Sequence, residues 1–479
     1  MLPLGIIYSL DSQMELVLKP YLENNLNSSL KTVSTPSELK DCIQSSSSTI
    51  LYLDLRANEF PLEHDDRIEV LSYLRKTCKS PLKIVSVIDQ FLLLEFTESA
   101  VFLTDAFLEY PPAPEEVRLL AEELQDIKAA VKHATLPESR QIYDRDTHVT
   151  TYTPAMIPII DQISKIARHN VTLLLVGETG TGKTTLASMI HQLSPRNAEP
   201  FQNIACGALP SDLIESELFG HLRGSFTGAE RTKIGRFEAA GKGTLLLDEI
   251  DILSAKDQAK LLKVIETGQF EPVGSTESRV SEARLIVAAN VELEELTRNN
   301  KFRSDLYYRL NVLQFRLPAL RERPNDIIPL TIQFIKECCE QHSITINKVH
   351  RKVIQILQHY SWPGNLRELK NQIQRAVLFS NQGELTTDEF SPNILQETMS
   401  LSEFGFLASQ ENSTLADQVA LNEKFLLQKS LSENDYRKTA TAKALGISRV
   451  GLYKKMRKYG MLEQKKPSVS KKHHAESEN

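Results

Sequence analysis

The stretch Gly177-Glu178-Thr179-Gly180-Thr181-Gly182-Lys183-Thr184 limits what this chain can fold into more than any other feature. It follows an apolar run at 171–176 and precedes a helical pattern from Thr185, the strand–loop–helix context that a GxxxxGK[ST] loop requires. Its glycines let backbone N–H groups wrap phosphates, Lys183 reaches the β- and γ-phosphates, and the Thr184 hydroxyl can ligate Mg2+. A doubly wound α/β sheet is therefore predicted, with ligand-binding loops at the C-terminal ends of its strands. Further along, Thr244-Leu-Leu-Leu-Asp248-Glu249 is an apolar strand ending in two acids. Alone, such a pair could simply cap a helix. Downstream of a phosphate loop, Asp248 suits the Mg2+ shell and Glu249 suits polarising a water, which together spell ATP hydrolysis. A third strand, at 285–289, ends in Asn290, whose amide could orient that water. The segment 302–312 offers Arg303 and Arg309 on a helix, either as solvated surface arginines or as groups reaching a neighbouring subunit's γ-phosphate.

With 479 residues, the chain exceeds one ordinary core and is expected to form roughly two to four domains. Periodicity divides it into three blocks and two connectors. Residues 2–128 alternate apolar strands at 4–8, 49–53, 84–88 and 100–104 with helices at 14–26 and 115–131, the rhythm of a small doubly wound parallel sheet. Polar residues at 133–147 form the first connector. The β/α pattern of the second block turns helical after Pro324, and a Ser/Glu/Asn/Thr-rich linker covers 391–414. These divisions set the domains at 1–130, 148–325, 326–388 and 415–462, with a basic, disordered tail at 463–479.

No apolar run reaches membrane-spanning length, since 82–96 is broken by Asp89, Gln90 and Glu95, and the first residues lack the basic start of a secretory signal. The five cysteines show neither zinc spacing nor a disulfide framework and read as reduced cytoplasmic thiols. Net charge is −6, yet 436–466 holds ten Lys/Arg against the single acid Glu463, a local footprint for DNA in an acidic protein.

Other motifs are family-specific. Glu217-Leu-Phe-Gly220-His-Leu-Arg-Gly224-Ser225-Phe226-Thr227-Gly228-Ala229 closely resembles the ELFGH and GAFTGA signatures of sigma-54-dependent activators, a branch of the AAA+ ATPases. The segments 177–183, 243–250, 302–312, 317–323 and Trp362-Pro-Gly-Asn-Leu-Arg367-Glu-Leu match that family too. The resemblance implies a ring-forming ATPase, usually hexameric, whose 224–229 loop presses on sigma-54 and drives promoter opening. It further implies Arg303 and Arg309 as trans-acting fingers and Arg367 as the sensor of a helical lid. Four residues depart from the family pattern: Ser225 for Ala, Thr184 for Glu, Ala205 for Asn, and Ala289 for Thr.

At the C-terminal end, a short helix at 436–445, a turn at Gly446 and a second helix at 448–459 capped by Ser448 resemble the Fis-type helix-turn-helix. The resemblance counts Ser448 among the DNA-binding residues, places Arg449, Val450, Tyr453 and Lys454 in or near the major groove, and sets Lys455, Arg457 and Lys458 on phosphates. The first block resembles a receiver domain that has lost its chemistry. Asp54 ends the third strand, but the acidic pair is reduced to Asp11, and Glu109-Tyr-Pro-Pro stands where Lys-Pro belongs. Asp54 is accordingly expected to be a strand-end cap. A small molecule such as cyclic di-GMP, or a partner protein, is the input that this resemblance admits.

The leading function is thus an ATP-driven activator acting on sigma-54 RNA polymerase at an upstream DNA site. A repressor using nucleotide only to gate assembly is the alternative, and an unfoldase or replication loader is a third. Neither alternative calls for the 224–229 loop.

Overall fold

Two five-stranded parallel sheets organise residues 1–395, and their strands are the apolar runs displayed by the sequence. The computed structural model describes residues 4–26, 29–45, 49–56, 70, 73, 82–114, 116–118, 120, 139–143, 148–227, 229–395, 427, 431, 437–445, 447 and 449–458. In the first sheet β1 (Leu4–Tyr8), β2 (Ser29–Val33), β3 (Thr49–Asp54), β4 (Leu82–Ile88) and β6 (Ala106–Glu109) lie in the order β2-β1-β3-β4-β6. Every residue of β3 is buried, as expected of a parallel strand covered on both faces. Successive side chains go to opposite faces: Ile6, Leu51 and Ile84 join one apolar cluster, Ile7, Ile50 and Val85 the other. Helices α1 (Ser12–Leu26) and α2 (Pro36–Ser45) supply cover.

The strand anticipated at 100–104 is instead the end of helix α3 (Leu94–Leu103), and the sheet's last strand follows it as β6. Thr97, Ala100 and Leu103 are buried at helical spacing, which outweighs the short apolar run. The helix expected over 115–131 is seen only at its start, the rest lying outside the described residues. Part of the expected connector is ordered, since β7 (Arg140–Tyr143) pairs antiparallel with β8 (His148–Thr151) and buries Ile142.

Asp54 does more than cap a strand. It is 1% exposed and accepts hydrogen bonds from the Ser9 hydroxyl (2.6 Å), the Arg56 amide (3.2 Å), and Arg56 Nε (3.0 Å) and Nη2 (2.9 Å). Arg56 also donates to Asp11 (2.9 Å) and stacks over the Tyr110 ring at 4.3 Å. A buried guanidinium thus occupies the polar pocket at the C-terminal end of β3.

In the second sheet β9 (Leu173–Val176), β10 (Phe201–Ala205), β13 (Thr244–Asp248), β16 (Arg284–Ala289) and β17 (Leu313–Arg316) run in the order β10-β13-β16-β9-β17. This order sets the C-terminal ends of β9, β16 and β13 side by side, delivering the phosphate loop, Asn290 and Asp248 to one edge. Short hairpins project from the sheet: β11 (Gly220–His221) with β12 (Lys233–Ile234), and β14 (Gln269–Phe270) with β15 (Arg279–Val280).

The lid packs α5 (Pro324–His342), the helix Arg351–His359 and α6 (Asn365–Phe379) around Trp362, whose indole N–H donates to the Leu357 carbonyl at 2.9 Å. Phe390 and Ile394 are buried in the same cluster, so the lid extends to Leu395 instead of ending at 388, and residues 391–395 are not linker. The N-terminal block joins the lid directly. Its strand β5 (Phe91–Leu93) pairs antiparallel with lid strand β18 (Lys348–His350), which also pairs with β19 (Glu384–Leu385). Leu92 and Val349 share one core cluster, and Arg351 bridges to Glu116 at 3.1 Å. Asp326, fully buried, accepts from Thr151 Oγ1 (2.7 Å), the Tyr152 amide (2.6 Å) and Arg323 Nε (2.8 Å), while the Tyr152 hydroxyl reaches Glu98 on α3 (2.8 Å).

The second unit, described by itself, contains α7 (Lys438–Ala444) and α8 (Arg449–Lys458) on a small core of Leu427, Leu431, Ala442, Leu452 and Met456. No helix among the described residues is long and apolar enough to cross a membrane.

Candidate functional site

A cleft of about 640 Å³ opens above the C-terminal ends of β9, β13 and β16 and beneath the lid. Its wall includes Thr179 to Thr184, Asp248, Glu249 and Asn290 from the sheet side, and Arg323 and Arg367 from the lid side. The phosphate loop turns on Gly180 (φ 82°) and Gly182 (φ 99°), both in the left-handed region that glycine reaches without a Cβ clash. Helix Lys183–Gln192 begins there, so its first N–H groups face the cleft, a ready anion site.

Lys183 is 5% exposed and donates to the carbonyls of Gly177 (2.6 Å) and Glu178 (3.1 Å) and to Asn290 Oδ1 (2.8 Å). Burial lowers its pKa from the ordinary lysine value, opposed by Asp248, Asp251 and Glu249 nearby. The Thr184 hydroxyl donates to Asp248 Oδ2 at 3.1 Å. A hydroxyl beside a carboxylate is the donor pair that Mg2+ takes when it keeps waters and phosphate oxygens as its remaining ligands. Asn290 lies between the lysine and the acid, its Nδ2 being 3.5 Å from Glu249 Oε1. Its backbone N–H is fixed by Asp251 Oδ1 at 3.1 Å.

Glu249 adopts a left-handed backbone (φ 58°) that aims its carboxylate across the cleft. A Cβ on Gly207 would fall 1.8 Å from Glu249 Oε2, so only glycine leaves the carboxylate its place. Asp251 and Gly207 were not singled out from sequence. Asp251 sits three residues past Asp248, a spacing that could have flagged it; Gly207 carries no such signal.

The remaining predicted residues are placed elsewhere. Arg303 and Arg309 do not line the cleft. Arg303 pairs with Asp305 (2.8 Å) and Arg309 with Glu266 (3.2 Å), both on exposed surface around helix Ser304–Leu310. The 224–229 segment is also outside the cleft, between the two hairpins. Gly224 N–H donates to the Ala229 carbonyl (2.8 Å) and Leu222 N–H to the Val273 carbonyl (3.0 Å). Ser225 packs against Gly274, and Phe226, 36% exposed, sits edge-on to His221 at 5.0 Å. Thr227 is exposed beside it, and Gly228 lies outside the described residues.

On helix Arg449–Lys458, the residues Arg449, Tyr453, Lys454, Arg457 and Lys458 are exposed and Lys455 is half-buried, while Lys438 lies 5.4 Å from the Tyr453 ring. Ser448 lies outside the described residues, as does the tail from 459 onward.

A family model described as the sigma-54 interaction domain matches residues 149–316, an AAA+ ATPase lid domain matches 321–403, and a bacterial regulatory protein of the Fis family matches 418–459. The chain is 37% identical to Regulatory protein AtoC of Escherichia coli (strain K12) over 339 residues, covering 71% of this chain and 73% of AtoC. It is 44% identical to the Nif-specific regulatory protein of Azotobacter vinelandii over 254 residues, covering 53% of this chain and 48% of that protein. It therefore spans about three quarters of one of these relatives and about half of the other. NtrX from Brucella abortus in complex with ATP aligns with 96% of this chain and 100% of its own, at 23% identity and a TM-score of 0.47.

Proposed function

Because this chain belongs to the sigma-54-dependent activators, a branch of the AAA+ ATPases, we propose that it binds an upstream DNA site and uses ATP hydrolysis to convert sigma-54 RNA polymerase from its closed to its open complex. The sigma-54 interaction domain is a P-loop ATPase. In our reading, residues 1–130 are regulatory, 148–325 and the lid from 326 form the motor, and 415–462 bind DNA, all in the cytoplasm.

Within the motor, Lys183 exchanges its carbonyl partners and Asn290 for β- and γ-phosphate oxygens. Thr184 and Asp248 would hold Mg2+, which when bound supplies charge neutralisation at the phosphates. Glu249 polarises the attacking water, Asn290 orients it, and Arg367 senses the phosphate from the lid. Arg303 or Arg309 enters from a neighbouring subunit of a homo-oligomeric ring, a hexamer by family habit, which accounts for their exposure outside their own cleft. Helix Arg449–Lys458 offers Arg449, Tyr453 and Lys454 to the groove and Lys455, Arg457 and Lys458 to phosphates.

The observation that carries the activator reading is the 224–229 loop, an exposed aromatic held on a stitched pair of hairpins away from every nucleotide-facing group. Phe226→Ala is expected to bind its DNA site and hydrolyse ATP as the parent does, yet fail to open a sigma-54 promoter in a purified transcription assay. An aromatic anchor at an interface carries ~2 kcal/mol or more, roughly a thirtyfold loss of engagement. Identical transcription by parent and variant would favour the nucleotide-gated repressor.

A further inference from the structure

The joint between the phosphate loop and the lid contains a polar network whose side chains take no part in the chemistry described above. Asn365, the first residue of α6, is fully buried and has a left-handed backbone (φ 52°). Its carboxamide joins two separate segments, the phosphate loop and the stretch leading into the lid. Oδ1 accepts the Leu320 N–H (2.7 Å), and Nδ2 donates to the Thr179 carbonyl (3.0 Å) and to Glu178 Oε2 (3.2 Å). Glu178 is gripped in turn by Arg321, whose Nη1 and Nη2 reach Oε2 (2.9 Å) and Oε1 (2.5 Å). The backbone completes the joint, with Leu366 N–H donating to the Gly180 carbonyl (2.9 Å). A Cβ on Gly180 would meet the Gly364 carbonyl oxygen at 2.4 Å, so nothing larger fits between loop and lid.

The half-exposed Glu178–Arg321 pair adds little stability by itself, since such pairs are screened and lose side-chain entropy. Its value is geometric, because the planar guanidinium fork fixes the carboxylate in two places. Hydrogen bonds from Arg321, then from Asn365, hold the Glu178 carboxyl down to about 2, so the pair stays charged at any working pH. Two residues beyond Asn365, Arg367 lines the cleft.

We propose that Glu178, Arg321 and Asn365 form a clamp of positioning residues that holds the lid on the phosphate loop and thereby sets Arg367 against the γ-phosphate. The proposal rests on the ATPase reading above. The three residues belong to three segments, and among the described residues the Asn365 side chain bonds both the phosphate loop and the segment that leads into the lid. The clamp therefore acts on turnover through Arg367 and leaves the groups that grip the nucleotide in place.

Glycine tolerates the backbone of Asn365 and removes only its amide, so Asn365→Gly separates the clamp from backbone strain. In the full chain, Asn365→Gly is expected to lower ATP turnover by about tenfold while changing the affinity for a fluorescent ATP analogue by less than about threefold. Added to Arg367→Ala it should cost nothing further, because both changes remove the same contact. Arg321→Ala, at an exposed position, should behave likewise, with partial rescue by exchanging the charges at 178 and 321. Hydrogen exchange at residues 364–370 should accelerate in both variants whether or not ATP is turned over. Losses that multiply with Arg367→Ala, or exchange unchanged from the parent, would overturn the clamp. Parent turnover that survives Glu249→Gln would instead overturn the ATPase reading.

Discussion

Glu249→Gln will leave ATP bound and cut turnover by roughly 10²–10⁴-fold, the range over which a positioned general base contributes. Glutamine keeps the shape of the side chain, and the carboxylate's place is set by the backbone at φ 58° and by the bare Cα of Gly207. The amide should therefore occupy the same position, next to Asn290, without being able to take a proton. Lys183 and Thr184 are unaltered, so nucleotide affinity should stay near that of the parent. Lys183→Ala removes a group held by three acceptors in the cleft and should lose binding itself. Phosphate release and fluorescent-nucleotide binding separate the two variants. Equal release by parent and Glu249→Gln would remove Glu249 from the reaction. Turnover per subunit should also rise with protein concentration, because the arginines assigned to the transition state lie outside their own cleft.

Asp54→Ala is expected to cost the N-terminal block about 3–5 kcal/mol, the penalty for stripping the partner from a buried charge. Arg56 is 4% exposed, and three of its hydrogen bonds, one of them from the backbone, end on Asp54. Removing that carboxylate takes away three of its hydrogen bonds, while the bond to Asp11 and the contact with the Tyr110 ring remain. Calorimetry of the full chain should show the N-terminal transition falling by on the order of 10 °C, with a smaller fall for Asp54→Asn. An unchanged transition would mean that Arg56 is satisfied without Asp54. The cluster also sets an acid limit. Burial works against the Asp11 charge, but hydrogen bonds from Arg56 and the Gln13 amide outweigh it and bring its pKa below 3.8. Asp11 therefore contributes stability above that value, and the contribution fades as pH falls through the lowered one.

The nucleotide site was legible because each of its parts sits at the end of an apolar strand within a short motif. Lys183, Asp248 and Asn290 needed only the rule that parallel sheets present ligands at their C-terminal edge. Arg56 was not legible. An arginine two residues past a strand reads as surface, and its partner Asp11 is 45 residues away. The strand pair Phe91–Leu93 and Lys348–His350 is too short for a period of two to register. Residues 100–104 misled for a related reason, since four apolar residues at the end of a helix imitate a buried strand. Glu178 occupies a variable position of the phosphate loop, where the motif asks nothing of the side chain, and its partner Asn365 lies 187 residues on. Long-range polar pairing is set by topology, which local patterns do not encode.

The strand pairing between the N-terminal block and the lid bears on how this protein could be divided or recombined. Sequence order suggests three exchangeable modules: input, motor and DNA reader. Leu92 and Val349 belong to a single hydrophobic core, however, and β18 takes β5 on one edge and β19 on the other. The lid is thus structurally continuous with the N-terminal block as much as with the P-loop sheet. A graft that swaps the first 139 residues for another domain would leave β18 with an open edge, and open edges invite pairing with other chains. The N-terminal block can be transplanted cleanly only together with the lid residues it zips to, so the exchangeable unit in this protein is discontinuous in sequence.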